Sequence, residues 1–353
     1  MKNKTVYFSL IILFISSLFY EVTFGQPMND SLNVLPENKT ESRYHVNSSR
    51  PLLVSGLTQV RYQNLEESGK NDGFDLRKAR LDMKGTINPF WGYRFVAEFA
   101  GSPKLLDAYA DYKINNFINF TIGQFKIPFS LENLYSDSKL EFIDRSQVVE
   151  ALVARSKDVI GNQNGRDIGV QVNGKVIKIS NRYMIDYTLG IFNGSGINAS
   201  DNNENKEIIG RIILHPFKGL DIGGSILSGK GFYGEPTMDD HLRNRIGVEL
   251  NYEYSRFNLK GEYIQGLDGI IHRNGWYLQT GYFILPSKFQ LLAKYDTYDP
   301  DSKISDNISS IYFIGMNYYI NIWVKLMTSY GFRTEEGFSV NNNIGAIQLQ
   351  LTF

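Results

Sequence analysis

"YMIDYTLGIF" (residues 183–192) alternates with a period of two. Tyr183, Ile185, Tyr187, Leu189 and Ile191 fall on one face; Met184, Asp186 and Thr188 fall on the other. An extended chain turns successive side chains to opposite sides, so the stretch reads as a β-strand with one apolar and one polar face. "RNRIGVELNYEY" (243–254) repeats the pattern, with Ile246, Val248, Leu250, Tyr252 and Tyr254 set against Arg243, Arg245, Glu249 and Glu253. "AIQLQLTF" (346–353) sets Ile347, Leu349, Leu351 and Phe353 against Gln348, Gln350 and Thr352.

From Leu52 onward, sixteen segments carry this period and helical periodicity is nearly absent. They lie near 52–62, 74–87, 91–99, 105–114, 117–125, 167–175, 181–192, 207–215, 220–228, 242–254, 257–265, 275–285, 288–297, 308–319, 322–334 and 343–353. Most have the length that a tilted membrane strand needs, about 9–11 residues.

The connections decide between a soluble sheet and a membrane one. After even-numbered strands they are short: "NPF" (88–90), "PFKG" (216–219), "SR" (255–256), "PS" (286–287) and "IN" (320–321). After odd-numbered strands they are mostly long and polar, as at 63–73, 126–166, 193–206, 229–241, 266–274, 298–307 and 335–342, with 100–104 the exception. Long loops on one side and tight turns on the other are the plan of an outer-membrane barrel. One face of nearly every strand is apolar, as lipid contact requires. The other carries charge, which a filled soluble core does not tolerate. Phe90, Trp91, Tyr318, Tyr319 and Trp323 gather near strand ends, as an interfacial girdle would.

The first residues suit export. Lys2 and Lys4 precede an apolar run from Val6 to Tyr20, and Thr23 and Gly25 sit at −3 and −1 to a cut before Gln26. Residues 1–25 are therefore expected to be a signal peptide, cleaved near Gly25/Gln26. Residues 26–50 are polar and read as a disordered periplasmic lead-in, with the barrel over 51–353. The chain has no cysteine and a net charge of zero, so it offers no disulfide, no thiolate metal site and no global argument for nucleic acid.

The connection 126–166 is far longer than the rest. It carries six basic and six acidic residues and a stretch, "KLEFIDRSQVVEALVA" (139–154), with helical spacing of Leu140, Ile143, Val148 and Leu152. A loop with its own apolar face needs a surface to pack on, and the nearest is the barrel's inner wall. The expected fold is all-β: a 16-stranded antiparallel transmembrane β-barrel with an inward-folded third outer loop.

"GQFKIPFSLENLYSDSKLEFIDRS" (123–146), which leads into that loop, resembles the signature region of the phosphate-selective porins O and P. The resemblance implies a sixteen-stranded, usually trimeric channel in the outer membrane of a Gram-negative bacterium, lined by basic residues that favour anions. It implies that Lys126 is a basic pore residue. No cofactor is expected. The final strand ending in Phe353 is similar to the end of many outer-membrane barrels, which the barrel-assembly machinery reads.

Strand parity assigns lumen charges independently. Arg61, Lys78, Arg80, Lys84 and Arg94 fall on the first three strands and form a candidate basic stripe, opposed by Asp82 and Glu98. Arg145 and Arg155, in the loop, are further candidates for the narrowest point, since a guanidinium offers forked donors to an oxyanion. The bland alternative is cross-strand pairing that only keeps a wet wall soluble.

The expected function is passive diffusion of small anions, with phosphate or polyphosphate among the candidates. The alternatives are a general or weakly selective porin, or a plugged barrel acting as partner or adhesin. The expected partners are small anionic solutes, outer-membrane lipid, the barrel-assembly machinery and two further copies in a homotrimer. The four histidines, His45, His215, His241 and His272, show no spacing for a hydrolase or a metal site, so no enzyme is expected.

Overall fold

The computed structural model describes residues 52–66, 71–234, 238–337 and 340–353. The expected signal peptide and lead-in lie outside these residues. The first strands are β1 (Leu52–Leu65), β2 (Gly73–Thr86), β3 (Trp91–Glu98), β4 (Lys104–Lys113) and β5 (Asn119–Lys126). After a long connection come β6 (Arg166–Ile179), β7 (Arg182–Phe192), β8 (Glu207–Phe217) and β9 (Leu220–Ser228). The rest are β10 (Asp239–Tyr254), β11 (Phe257–Asp268), β12 (Ile271–Leu285), β13 (Phe289–Asp299), β14 (Ser309–Tyr319), β15 (Val324–Glu335) and β16 (Ile344–Thr352). A short piece, Lys230–Tyr233, continues β9 past Gly229 and pairs with the start of β10, so the hairpin extends into the loop expected at 229–241.

Each strand pairs antiparallel with the next, and β1 pairs with β16 from Leu57↔Thr352 to Leu65↔Ile344, which closes the barrel. Closure leaves no open edge whose backbone groups would go unpaired in lipid. At the seam Gly56 and Phe353 exchange backbone hydrogen bonds of 2.9 and 3.2 Å. A Cβ on Gly56 would overlap the Phe353 ring, so the glycine leaves the slot that the ring fills.

The two faces differ as the alternation requires. Ile122, Ile212, Ile226, Ile246, Val248 and Ile314 all point outward and are more than half exposed in the single chain. A continuous apolar surface of this kind matches the lipid face of an outer-membrane barrel. No helix among the described residues is long and apolar enough to cross a membrane, so crossing rests on the strands. The opposite face carries Gln59, Arg243, Arg245, Gln279, Lys294 and Gln350, all buried.

Strict register breaks between β1 and β2, between β3 and β4, between β8 and β9 and between β12 and β13. Gln59 pairs with Lys78 but Val60 with Leu76, so Arg77 is an extra residue in β2. A bulge resets parity, and both Arg77 and Lys78 turn to the polar face.

Candidate functional site

The connection from β5 to β6 is held at almost every turn. Its two short helices are α1 (Leu131–Leu134) and α2 (Gln147–Leu152), with a 3-10 turn at Asp137–Lys139 between them. The single helix expected over 139–154 does not form. Only its last part keeps helical geometry, because Glu141, Asp144 and their neighbours bond to the wall instead. The N-terminal amides of a helix lack partners within it. Here wall carboxylates supply them: Glu262 accepts from the amides of Leu131 and Glu132 at 2.9 and 2.7 Å, and Asp296 accepts from Gln147 N at 2.9 Å.

The motif "GQFKIPFS" explains how the loop leaves β5. Gly123 has φ +132° and no room for a Cβ against the backbone of Ala108 and Tyr109. The Gln124 amide donates to the Leu105 and Leu106 carbonyls (both 3.0 Å) and accepts from Asn198 N at 2.6 Å, tying the 193–206 loop to β4. Phe125 packs edge-on against Tyr109 and Phe192. The Lys126 ammonium donates to the carbonyls of Asn133, Leu134 and Tyr135 at 2.8, 3.4 and 2.6 Å, at the end of α1 where carbonyls are otherwise left over. Ile127 and Phe129 are fully buried, and the Ser130 hydroxyl accepts from Asn133 N at 3.2 Å as the α1 cap. They join Val148, Val149, Leu152, Ile209, Leu227 and Ile264 in one apolar cluster shared by loop and wall. Each such side chain contributes about 1.5–3 kcal/mol on burial.

Charge fixes the rest. Asp158 accepts from Arg243 at 2.9 and 3.1 Å, and Arg243 also donates to Glu207 at 2.5 Å. Arg245 donates to Asp268 at 2.7 Å, and Arg166 to Asp107 at 2.6 Å. Asp137 bridges Arg80 of the wall and Arg145 of the loop. Burial alone would raise the Asp137 carboxyl. Arg145, Arg80 and Lys78 together hold it well below its ordinary range. Asp158 is likewise lowered against burial by Arg243 and Arg245. Burial, then repulsion from Arg145, pushes the Arg155 guanidinium down to about 9. Glu141 gathers Asn258 (2.7 Å), Gln279 (2.5 Å), Gln290 (2.8 Å) and Lys260 (3.2 Å). The Lys325 ammonium donates to the Leu140 carbonyl at 2.9 Å.

The profile of the phosphate-selective porins O and P matches residues 57–216 and 231–353. This chain belongs to that family. A search of curated proteins finds no match. Among solved structures, this porin is similar to outer-membrane expressed OmpT of Vibrio cholerae at TM-score 0.64 and 12% identity, over 87% of this chain and 98% of that one. It is similar to the outer membrane channel DcaP of Acinetobacter baumannii at TM-score 0.63 and 14% identity, over 88% and 99%. A mutant of the Rh. blastica porin gives TM-score 0.59 and 12% identity, over 86% and 100%. At these identities the likeness is one of fold. A porin with a closed antiparallel barrel belongs in the outer membrane of a Gram-negative bacterium.

The residues read from the sequence as pore-lining fall into two groups. Lys126, Arg145 and Arg155 do not face open space. Lys126 is taken up by three carbonyls, Arg145 by Asp137, and Arg155 by Asn133 Oδ1 at 3.1 Å and Glu150 at 3.8 Å. They sit within the loop because its turns need donors there. Arg61, Lys78, Arg80, Lys84 and Arg94 do lie together on the wall of β1–β3, but in pairs. Arg61 meets Asp75 (2.6 Å) and Asp144 (3.2 Å), Arg80 meets Glu98 (2.7 Å), Lys78 meets Glu98 at 3.9 Å, and Arg94 meets Asp82 (2.6 Å). Lys84 sits opposite Arg94 across β2–β3. Sequence reading missed Arg77, which bonds Asp144 at 3.2 Å, and Arg166, placed in the loop but in fact the first residue of β6.

The loop's contacts concentrate on β10–β16, β1 and the start of β2. Toward the short turns, the walls of β4–β9 border an open cavity of about 450 Å³, lined by Lys113, Asn119, Lys175, Asp186, Arg211, His215 and Asp221 among others.

Proposed function

We propose that this porin is a passive diffusion channel for small anions, with the third loop folded inward to narrow it. The observation that carries this reading is the division of the polar wall. The loop's acidic residues take up cations on β1, β2, β10 and β11, while Lys84, Arg94, Lys113, Lys175 and Arg211 line the side away from it. Arg94, Lys175 and Arg211 pair with Asp82, Asp186 and Glu249, whereas Lys113 has no ion pair among the described residues, and such an unpaired cation on the uncovered wall favours anions. In this reading Arg61, Lys78 and Arg80, paired with Asp75, Asp144, Glu98 and Asp137, tie the wall beside the loop to it. Lys126, Arg145 and Arg155 act by holding the loop in place. The short turns face the periplasm and the long loops the exterior.

The finer expectations belong to the same reading. A homotrimer is favoured by the apolar outer face and by the trimer form described for OmpT of Vibrio cholerae. Export by a signal peptide over residues 1–25 and recognition of the last strand by the barrel-assembly machinery complete it.

The test is reversal potential in planar bilayers under a KCl gradient, repeated with phosphate as a blocker. Anion preference that falls in the Arg94→Gln/Lys113→Gln double variant supports the reading. Cation preference overturns the anion assignment and leaves a general porin. Absence of conductance overturns the channel reading in favour of a plugged barrel.

A further inference from the structure

One group in the cavity beside β4–β9 is unlike the other pairs. The His215 imidazole stands between two carboxylates on neighbouring strands. Its Nδ1 lies 2.6 Å from Asp221 Oδ1, and its Nε2 lies 3.4 Å from Asp186 Oδ1. The second contact is within ion-pair range but is not aligned as a hydrogen bond, and Asp186 Oδ1 is buried with no donor. A neutral imidazole donates from one nitrogen only; an imidazolium donates from both. The site therefore suits the charged ring on both sides and the neutral ring on one.

The surrounding charges make that difference count. Lys175 of β6 pairs with Asp186 at 3.3 Å, and Arg211 of β8 pairs with Glu249 of β10 at 2.5 Å. Asn251 donates to the far oxygen of Asp221 at 3.2 Å. The Arg182 guanidinium donates to the backbone carbonyls of His215 and Pro216, at 3.1 and 3.0 Å. Lys113 of β4 has no ion pair among the described residues and lines the same space. Lys113, Lys175 and Arg211 stand on the same wall as Asp111, Asp186, Asp221 and Glu249, so the fixed charges nearly cancel and the proton on His215 shifts the charge of the cavity by one. Histidine is the side chain whose charge ordinarily changes between pH 5 and 8.

We propose that His215, clamped between Asp186 and Asp221, is a selectivity-determining residue of the channel. Protonated, it adds one positive charge to the cavity and strengthens the preference for small inorganic anions; neutral, it withdraws that charge and weakens the preference. The inference rests on the diffusion-channel reading, and names the position where charge preference is tuned.

The experiment is the KCl-gradient reversal potential from pH 8 down to pH 5, on the full chain and on His215→Gln. In the unsubstituted channel the anion-to-cation permeability ratio rises on acidification by roughly twofold or more, the Boltzmann factor of one added charge some 8 Å from a permeant ion in water. In His215→Gln the ratio stays flat. His215→Asn serves equally if the glutamine variant does not assemble. A flat profile in the unsubstituted channel overturns the proposal, and so does the same rise in the variant. A channel that prefers cations throughout yet keeps a His215-dependent rise overturns the anion reading alone. Absence of conductance overturns both.

Discussion

Replacing Asp158 by asparagine tests whether the loop is held by its ion pairs or only by its apolar cluster. Asp158, Arg243 and Arg245 are buried, the two guanidinium groups completely. The substitution keeps the shape and an acceptor for Ala154 N, which now donates at 2.7 Å. It removes the charge facing Arg243, and turns an amide donor toward guanidinium donors. Breaking a buried pair from one side costs about 3–5 kcal/mol. Arg243 retains Glu207 and Arg245 retains Asp268, so the low end applies. At about 1.4 kcal/mol per factor of ten, local opening of the loop becomes roughly 10²-fold more frequent. Hydrogen–deuterium exchange of the peptide covering 147–165, in detergent, reads this directly. The strand peptides of β12–β15 keep their exchange rates, because no ladder bond is touched. Loop exchange within about threefold of the unsubstituted protein would refute the reasoning. The pairs would then be ornaments on a loop that its apolar cluster holds alone.

Three further outcomes are expected. The Asp137 and Asp158 carboxylates are held low in the folded state, so their stabilisation of the loop is present above the ordinary carboxylate range near pH 4 and is lost as pH falls further. Single-channel recordings are expected to be quiet at neutral pH and noisy at about pH 3, and Asp137→Asn is expected to be noisy already at neutral pH. Lys126→Met strips three carbonyls at the end of α1 of their donor, so single-channel conductance becomes larger and more variable while ion selectivity holds; a selectivity change as large as that of the Arg94/Lys113 variant would restore Lys126 as a pore residue. Gly56→Ala places a methyl group where the Phe353 ring lies, and is expected to lower the temperature at which the folded band disappears in semi-native gels; an unchanged temperature would mean the slot has no part in closing the barrel.

Much of this architecture was legible because two independent signals coincide. Alternation gives the strands, and the lengths of the connections give their sides. Neither needs knowledge of tertiary contacts, and all sixteen strands lie where the periodicity placed them. The site was less legible for definite reasons. Arg77 is hidden by a bulge, and a single extra residue in β2 leaves no compositional mark while it inverts parity for everything beyond it. The helix expected at 139–154 was cut back to α2 because Glu141 and Asp144 find stronger partners on the wall than a continuing helix provides. Lys126, Arg145 and Arg155 have the right chemistry for an anion site, but alternation says nothing about whether a guanidinium meets solvent, a carbonyl or a carboxylate. Arg166 and Asp107 are 59 residues apart in the chain, and the pairing of β4 and β6 on either side of β5 brings them together.

The docking of the third loop has a consequence beyond shape. Asp137, Glu141, Asp144 and Asp158 stand against wall cations in the way dissolved counterions stand against a charged membrane pore. The loop is a resident salt, tethered at both ends, that has already titrated part of the wall. What a passing ion meets is the remainder. The character of such a channel can then be rewritten without touching the barrel: exchanging one acid in the loop releases a cation on a strand many residues away, and a family of channels with near-identical walls can diverge in preference through one connecting segment.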